Sequence, residues 1–197
     1  TLLIFDHSED LDAFLWSCLA SSAVGLALIA PGRPANAQLR PRDMYLLTTA
    51  SWLVVCIFAA LPMVLIQHIS YTDAFFETMS GITTTGSTVL TGLDSVTPGL
   101  LIWRSMLQWL GGIGFIGMAV AILGEKIMPR SHMVAQYILF IYLGFTLLGA
   151  LGFWLAGMSA FDAINHSMVS ISTGGFSTSD ASLAHWSQPA VHWVAVL

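Results

Sequence analysis

Two short strings of hydroxyl residues and glycines carry the pattern most suggestive of chemistry in this 197-residue chain: Ile82-Thr83-Thr84-Thr85-Gly86 and Ile171-Ser172-Thr173-Gly174-Gly175. Neither string pairs a nucleophile with a base, or one acid with another, so the groups on offer are those of the backbone. Each string has a Gly that can take backbone angles other residues avoid, which lets consecutive carbonyls turn toward one axis. Moving an ion from water into a dry interior costs on the order of 20 kcal/mol in the idealised Born estimate. A ring of carbonyls that replaces the hydration shell makes the transfer tolerable.

The strings are copies of one another. Asp162 stands 89 residues after Asp73, and Gly175 stands 89 after Gly86. Across the 19 positions from Ser70 to Thr88, identities with the shifted copy fall at Ser70, Asp73, Ala74, Met79, Ile82, Thr84 and Gly86, and Thr78/Ser167, Thr83/Ser172 and Thr88/Ser177 are hydroxyl swaps. One such run alone would read as a polar loop outside a membrane. A repeat held in register and confined to polar inserts reads as an ion filter over Thr83, Thr84, Thr85, Gly86 and Ser172, Thr173, Gly174, Gly175. Asp73 and Asp162 each suit an N-cap, followed by about ten residues of short amphipathic helix. The macrodipole of such a helix places roughly half a negative charge at the C-terminus, next to the string, where it favours a cation.

Other chemistries fit less well. Gly112-Ile-Gly114-Phe-Ile-Gly117 matches the spacing of a dinucleotide fingerprint, but no strand precedes it and no acid follows about twenty residues on; small residues that let helices pack closely explain it better. His68, His166, His185 and His192 have no Cys or carboxylate at ligand spacing, and His166 suits a short-helix residue facing a neighbouring helix. Cys18 and Cys56 lie in apolar runs and read as packing residues. Asn165-His-Ser167 is a glycosylation sequon on a segment expected to be buried. Within the apolar spans no catalytic set projects from one depth, so an enzyme is not expected. Nucleic acid is not an expected partner either, since a net charge of -5 comes without a basic stripe.

The elements that must position the strings are helices in lipid. Charged residues make up 9% of the chain and hydrophobic ones 56%, against roughly 25% charged in ordinary soluble domains. Four stretches are long and apolar enough to span a bilayer: Leu11 to Ala30, Met44 to Ile69, Gly99 to Leu123 and Met133 to Gly157, with a fifth beginning at Pro189. The inserts between them, Ser70 to Pro98 and Ser159 to Gln188, cannot span. Basic residues stay cytoplasmic, and Arg33, Arg40, Arg42, Lys126 and Arg130, five of the six, mark one side. Asp6, Glu9, Asp10 and Asp12 then fall outside together with both inserts, and Trp16, Trp103, Trp154 and Trp186 come near the outer boundary as an aromatic belt. Each insert leaves and re-enters on one face, as an exposed or a re-entrant loop. Because two crossings separate the copies, their repeat axis runs along the membrane normal. Arg104, the one basic residue on the outer side, could snorkel to headgroups, pair with Glu77 or Asp94, or stand near a pore mouth.

The strings Asp73-Ala-Phe-Phe-Glu-Thr-Met-Ser-Gly-Ile-Thr-Thr-Thr-Gly86, Trp103-Arg-Ser-Met-Leu-Gln-Trp-Leu-Gly-Gly-Ile-Gly114, Phe161-Asp-Ala-Ile-Asn-His166 and Ser172-Thr-Gly-Gly-Phe-Ser-Thr178 resemble the TrkH branch of the Trk/Ktr/HKT potassium transporter superfamily. The resemblance covers nearly the whole chain. It implies an all-α integral membrane fold of repeated helix, re-entrant pore loop, helix units around a potassium-channel-like pore, four units per pore, with Gly86 and Gly175 as filter glycines. It divides the chain into an N-terminal outer segment, extra transmembrane helix and cytoplasmic linker (1–43), a first unit (44–124), a cytoplasmic loop (125–132) and a second unit (133–197), part of a longer protein. The connection from Gly124 to His132 is shorter than expected for the family. A multi-pass protein of the bacterial inner membrane is implied, transporting potassium held at filter carbonyls alone and needing no cofactor. The implied partners are membrane lipid, a second copy in a homodimer and a cytosolic nucleotide-binding regulatory subunit. In plant relatives a Ser at the position of Gly86 accompanies sodium preference. A structural or assembly membrane protein that transports nothing is the alternative, though it would have no reason to repeat a filter-like segment.

Overall fold

The computed structural model describes residues 8–29, 41–127 and 131–196. Among these there is no strand; the ordered elements are eight α-helices and two short 3-10 turns. Arg33, Arg40 and Arg130, on which part of the expected orientation rests, lie outside the described residues, as does Asp6. The chain forms two compact units, the first ending at Phe75 and the second starting at Phe76.

The first unit holds α1 (Ser8–Ile29), α2 (Pro41–Ala59), α3 (Leu61–Gln67) and the first turn of α4 (Tyr71–Ile82). The span expected from Met44 to Ile69 is one apolar stretch, Tyr45–Gln67, but two helices. Pro62, at the start of α3, has no N–H to continue the ladder, and Ala60 carries the chain across the break with bonds to the Cys56 carbonyl and from the Val64 N–H. Left-handed His68 (φ 53) ends α3, and the Tyr71 hydroxyl donates to the Ile57 carbonyl at 3.0 Å. Cys56, Ala60 and Met63 are fully buried.

The second unit comprises the rest of α4, then α5 (Pro98–Ile127), α6 (Ser131–Leu155), α7 (Ala160–Ile171) and α8 (Pro189–Val196). Besides Tyr45–Gln67, Asp10–Ile29 in α1 and Met133–Leu155 in α6 are long and apolar enough to cross a membrane. Their apolar side chains face outward: Leu28, Phe140 and Leu147 are each 72% exposed, which suits lipid as the solvent. Helix α5 holds the expected third span but turns its first half into protein, with Leu100, Leu101, Arg104, Ser105, Leu107 and Gln108 buried. Below α7 a small apolar core joins Phe153, Met158, Ala163, Trp186 and Val191. Trp186 therefore leaves the expected aromatic belt: it is 9% exposed and stands edge-on to His166, ring centroids 4.7 Å apart. Trp16 and Trp154 remain exposed.

Candidate functional site

The short helices begin alike, and one residue position differs from the sequence expectation. Asp73 and Asp162 are not the N-caps. Ser159 is the N-cap of α7, its hydroxyl accepting from the Asp162 N–H at 3.1 Å and donating to the Asp162 carboxylate at 2.7 Å. Ser70 and Asp73 make the same two bonds ahead of α4. The acid sits at the third helical position, as in a capping box, but its carboxylate bonds the cap's own hydroxyl. Ser70 and Ser159 are identical in the repeat, but in the sequence they are masked by an acid three residues downstream that can itself cap. Asp162 also accepts from the Thr178 hydroxyl at 2.7 Å, which ties the start of α7 to the chain beyond its string.

The helices also end alike. In the first copy the Thr85 N–H bonds the Ser80 carbonyl at 2.9 Å and the Thr84 N–H bonds the Gly81 carbonyl at 2.9 Å; in the second, Gly174 bonds Val169 at 3.0 Å and Thr173 bonds Ser170 at 3.0 Å. These are Schellman ends, whose left-handed residue is commonly Gly. Here it is Thr84 and Thr173, each at φ 55, followed two residues later by Gly86 at φ 79 and Gly175 at φ 82. A β-branched residue at positive φ is a conformational outlier that costs about 1–3 kcal/mol and persists where the surroundings enforce it. The Thr83 hydroxyl helps, donating to the Met79 carbonyl at 2.7 Å and lying 2.8 Å from the Thr85 hydroxyl.

A third correspondence is invisible in the residue identities. Glu77 and His166 occupy equivalent positions of the repeat, as do Thr88 and Ser177. The Thr88 hydroxyl bonds the Glu77 carboxylate at 2.8 Å, and the Ser177 hydroxyl lies 3.1 Å from His166 Nε2. Each short helix thus grips the chain after its own string through a different chemical pair.

Behind both strings runs one face of α5: Arg104, Leu107, Gln108, Gly111 and Gly112. Of the readings open for Arg104, the structure selects the pair with Glu77. Its Nε and Nη2 donate to Glu77 Oε1 at 2.9 and 2.7 Å, with the two side chains 1% and 0% exposed. Arg104 Nη1 reaches the Ser177 carbonyl at 3.2 Å, and its guanidinium lies 4.2 Å from the centroid of the Phe176 ring. Glu77 is satisfied on its other oxygen by the Val89 N–H at 3.0 Å. One turn on, Gln108 Nε2 donates to the Gly174 carbonyl at 3.0 Å and Oε1 accepts from the Phe176 N–H at 3.2 Å. The sequence reading missed Gln108; the signal was a polar residue four positions after Arg104 and three before Gly111 within an apolar span. Gly111 and Gly112 let α5 approach both helix ends, since a Cβ on Gly111 would run into the Ile82 carbonyl and one on Gly112 would press on Tyr142 and Ser172. A Cβ on Gly117 meets no atom of the described residues, so close packing is seen at Gly112 and not at Gly117.

All eight string residues, Thr83 to Gly86 and Ser172 to Gly175, sit in the second unit, and the strings touch. A Cβ built on Gly86 would collide with the Gly174 carbonyl oxygen, whereas one on Gly175 meets open space. Farther out, the Asp180 carboxylate accepts from the Gly92 and Leu93 N–H groups at 2.8 and 3.1 Å. Asn165 is 1% exposed, so the sequon is closed to a glycan in the folded chain.

Described residues that form helices and no strand, with long spans suited to lipid and two braced, strained polar strings, have the build of an integral membrane protein. The TrkH family model, described as a cation transport protein, matches residues 11–197, and the chain belongs to that family, whose members are membrane proteins. The Trk system potassium uptake protein TrkI of Halomonas elongata is 42% identical over 100% of this chain and 44% of its own length. The Trk system potassium uptake protein TrkH of Escherichia coli K12 is 38% identical over 94% of this chain and 43% of its own. The crystal structure of the potassium transporter TrkH from Vibrio parahaemolyticus superposes with a TM-score of 0.90 at 37% identity, covering 99% of this chain and 43% of that one. The chain spans less than half the length of these relatives.

Proposed function

We propose that the protein moves potassium across the bacterial plasma membrane, with Thr83 to Gly86 and Ser172 to Gly175 as two loops of a selectivity filter built from backbone carbonyls. The observation that carries this reading is the shared backbone of the strings: the same Schellman end, left-handed Thr and left-handed Gly recur 89 residues apart, and strain of this kind collects at functional sites. The relatives' names as potassium uptake proteins support potassium as the ion. Residues 44–124 and 133–197 act as helix, re-entrant loop, helix units; irregular backbone at membrane depth is tolerable where protein buries it or water reaches it, and here Ser172 and Gly174 are buried while Thr83, Thr85, Thr173 and Gly175 are exposed, on the side where water or the rest of a pore would meet them. The contact between strings is head to tail, Gly86 of one against Gly174 of the next, and contacts of that type form a ring when the rotation between them closes. The open side of Gly175 is where the next loop of such a ring fits. Multi-pass insertion in lipid, a second copy and a cytosolic nucleotide-binding regulatory subunit complete the proposed assembly.

The test is ion uptake by the full-length protein in potassium-deficient cells or proteoliposomes. Wild type should prefer potassium and rubidium over sodium. Gly86→Ser adds a Cβ at positive φ and against the Gly174 carbonyl, so the preference should fall at least tenfold, equivalent to about 1.4 kcal/mol. Thr91→Ser, beyond the string, should keep the wild-type ratio. Equal ratios for wild type and Gly86→Ser would remove the strings from the ion path.

A further inference from the structure

Gln108 lies fully buried on α5, a helix outside both strings, yet its amide bonds the second string and the residue just after it: Nε2 donates to the Gly174 carbonyl at 3.0 Å and Oε1 accepts from the Phe176 N–H at 3.2 Å. A backbone carbonyl needs a donor and a backbone N–H needs an acceptor, so these partners set which way the amide points. The two bonds bracket Gly175, the residue of the second string at φ 82. The Gly174 oxygen that Gln108 holds is also the atom against which Gly86 packs, and a Cβ on Gly174 itself would run into the Gln108 amide. Gln108, the Gly174 carbonyl and Gly86 therefore form a line through both strings with no slack for an extra atom.

Resting on the filter reading above, we propose that Gln108 is a positioning residue for ion selectivity, acting through the Gly174 carbonyl as a joint that sets the distance between the two strings. In this arrangement the Gly174 oxygen joins the strings, while the neighbouring carbonyls of Ser172, Thr173 and Gly175 serve the ion. Gly86 is required for its positive φ and because the joint leaves no room for a side chain. A substitution at Gly86 then acts on the second string as well as the first, by displacing the carbonyl that Gln108 holds.

The two positions should be coupled, and a double-mutant cycle on the full-length protein in proteoliposomes reads the coupling as rubidium-to-sodium flux ratio, a quantity independent of how much protein inserts. Gln108→Leu, of similar volume without the amide, should lower the ratio at least fivefold while rubidium flux persists. In a Gly86→Ser background the same change should alter the ratio less than twofold, because the joint is already displaced. If Gln108→Leu does not assemble, Gln108→Asn, which is one methylene too short to span both partners, is read by the same criteria. A wild-type ratio for the Gln108 variant beside a reduced ratio for Gly86→Ser would overturn the proposal and leave the filter standing. Independent, multiplying effects would overturn the joint. No change from either substitution would overturn the filter reading itself.

Discussion

At the scale of single residues, Arg104 and Glu77 show how a charge is kept inside an apolar helix. Desolvation of a buried ion costs several kcal/mol even after relaxation, and here it is offset by bonds to both sides: Arg104 to Glu77, to Thr88 at 3.2 Å and to the Ser177 carbonyl. Removing one partner strands the other, at about 3–5 kcal/mol. Arg104→Met should therefore lower the melting temperature of the detergent-purified full-length protein sharply, and Glu77→Gln added to it should recover part of the loss by discharging the orphaned carboxylate. A double variant melting below the single one would show that the charges are not balanced against each other. The sequence left Arg104 with three readings because snorkelling, pairing and pore-mouth placement share one spacing; burial decides among them, and burial depends on partners 27 and 73 positions away. Gln108 stands out in the sequence as a polar residue in an apolar span, but what it holds does not, its partner lying 66 positions on.

At the scale of elements, the strings owe their placement to α5. Helix spans, the short helices and their shared register were legible because lipid demands long apolar runs and a repeat is visible as identities. The break at Pro62 went unread because apolarity runs straight through it, and the capping serines because Ser and Asp both accept from a helix's first N–H groups. The glycines of α5 divide by their surroundings, and that division is testable. Gly111→Ala places a methyl against the Ile82 carbonyl, a backbone atom at the end of α4 that cannot swing aside. Gly117→Ala meets no atom of the described residues and should gain the helix propensity of Ala, about 1 kcal/mol. The first should depress melting temperature and rubidium-over-sodium selectivity together; the second should leave selectivity unchanged and stability equal or higher. Matching losses from both would mean that α5 tolerates no methyl on either face, and the seat at Ile82 would lose its special role.

At the scale of the whole molecule, the question is which way the strings face. The charge map puts Lys126 with the cytoplasmic basic residues and Asp94 with the outer acids. Lys126 lies in the last turn of α5 and Asp94 four residues before its start, and the 30 residues of that helix extend about 45 Å at 1.5 Å per residue, comparable to a bilayer with its headgroups. Asp94 is exposed in the 3-10 turn Leu93–Ser95, which the Asp180 carboxylate anchors to the chain beyond the second string. The side of Asp94 is thus also the side on which the chain leaves both strings. With both on the outer face, α4 and α7 present their C-terminal, negative dipole ends to cations arriving from outside, the direction of ion entry that the proposed function requires. In a cysteine-free full-length background, Asp94→Cys should react with a membrane-impermeant maleimide in intact cells, and Lys126→Cys should react only after the membrane is opened. The reverse pattern would turn the strings toward the cytoplasm, and the proposed direction of ion entry would have to be abandoned even if both strings line the path.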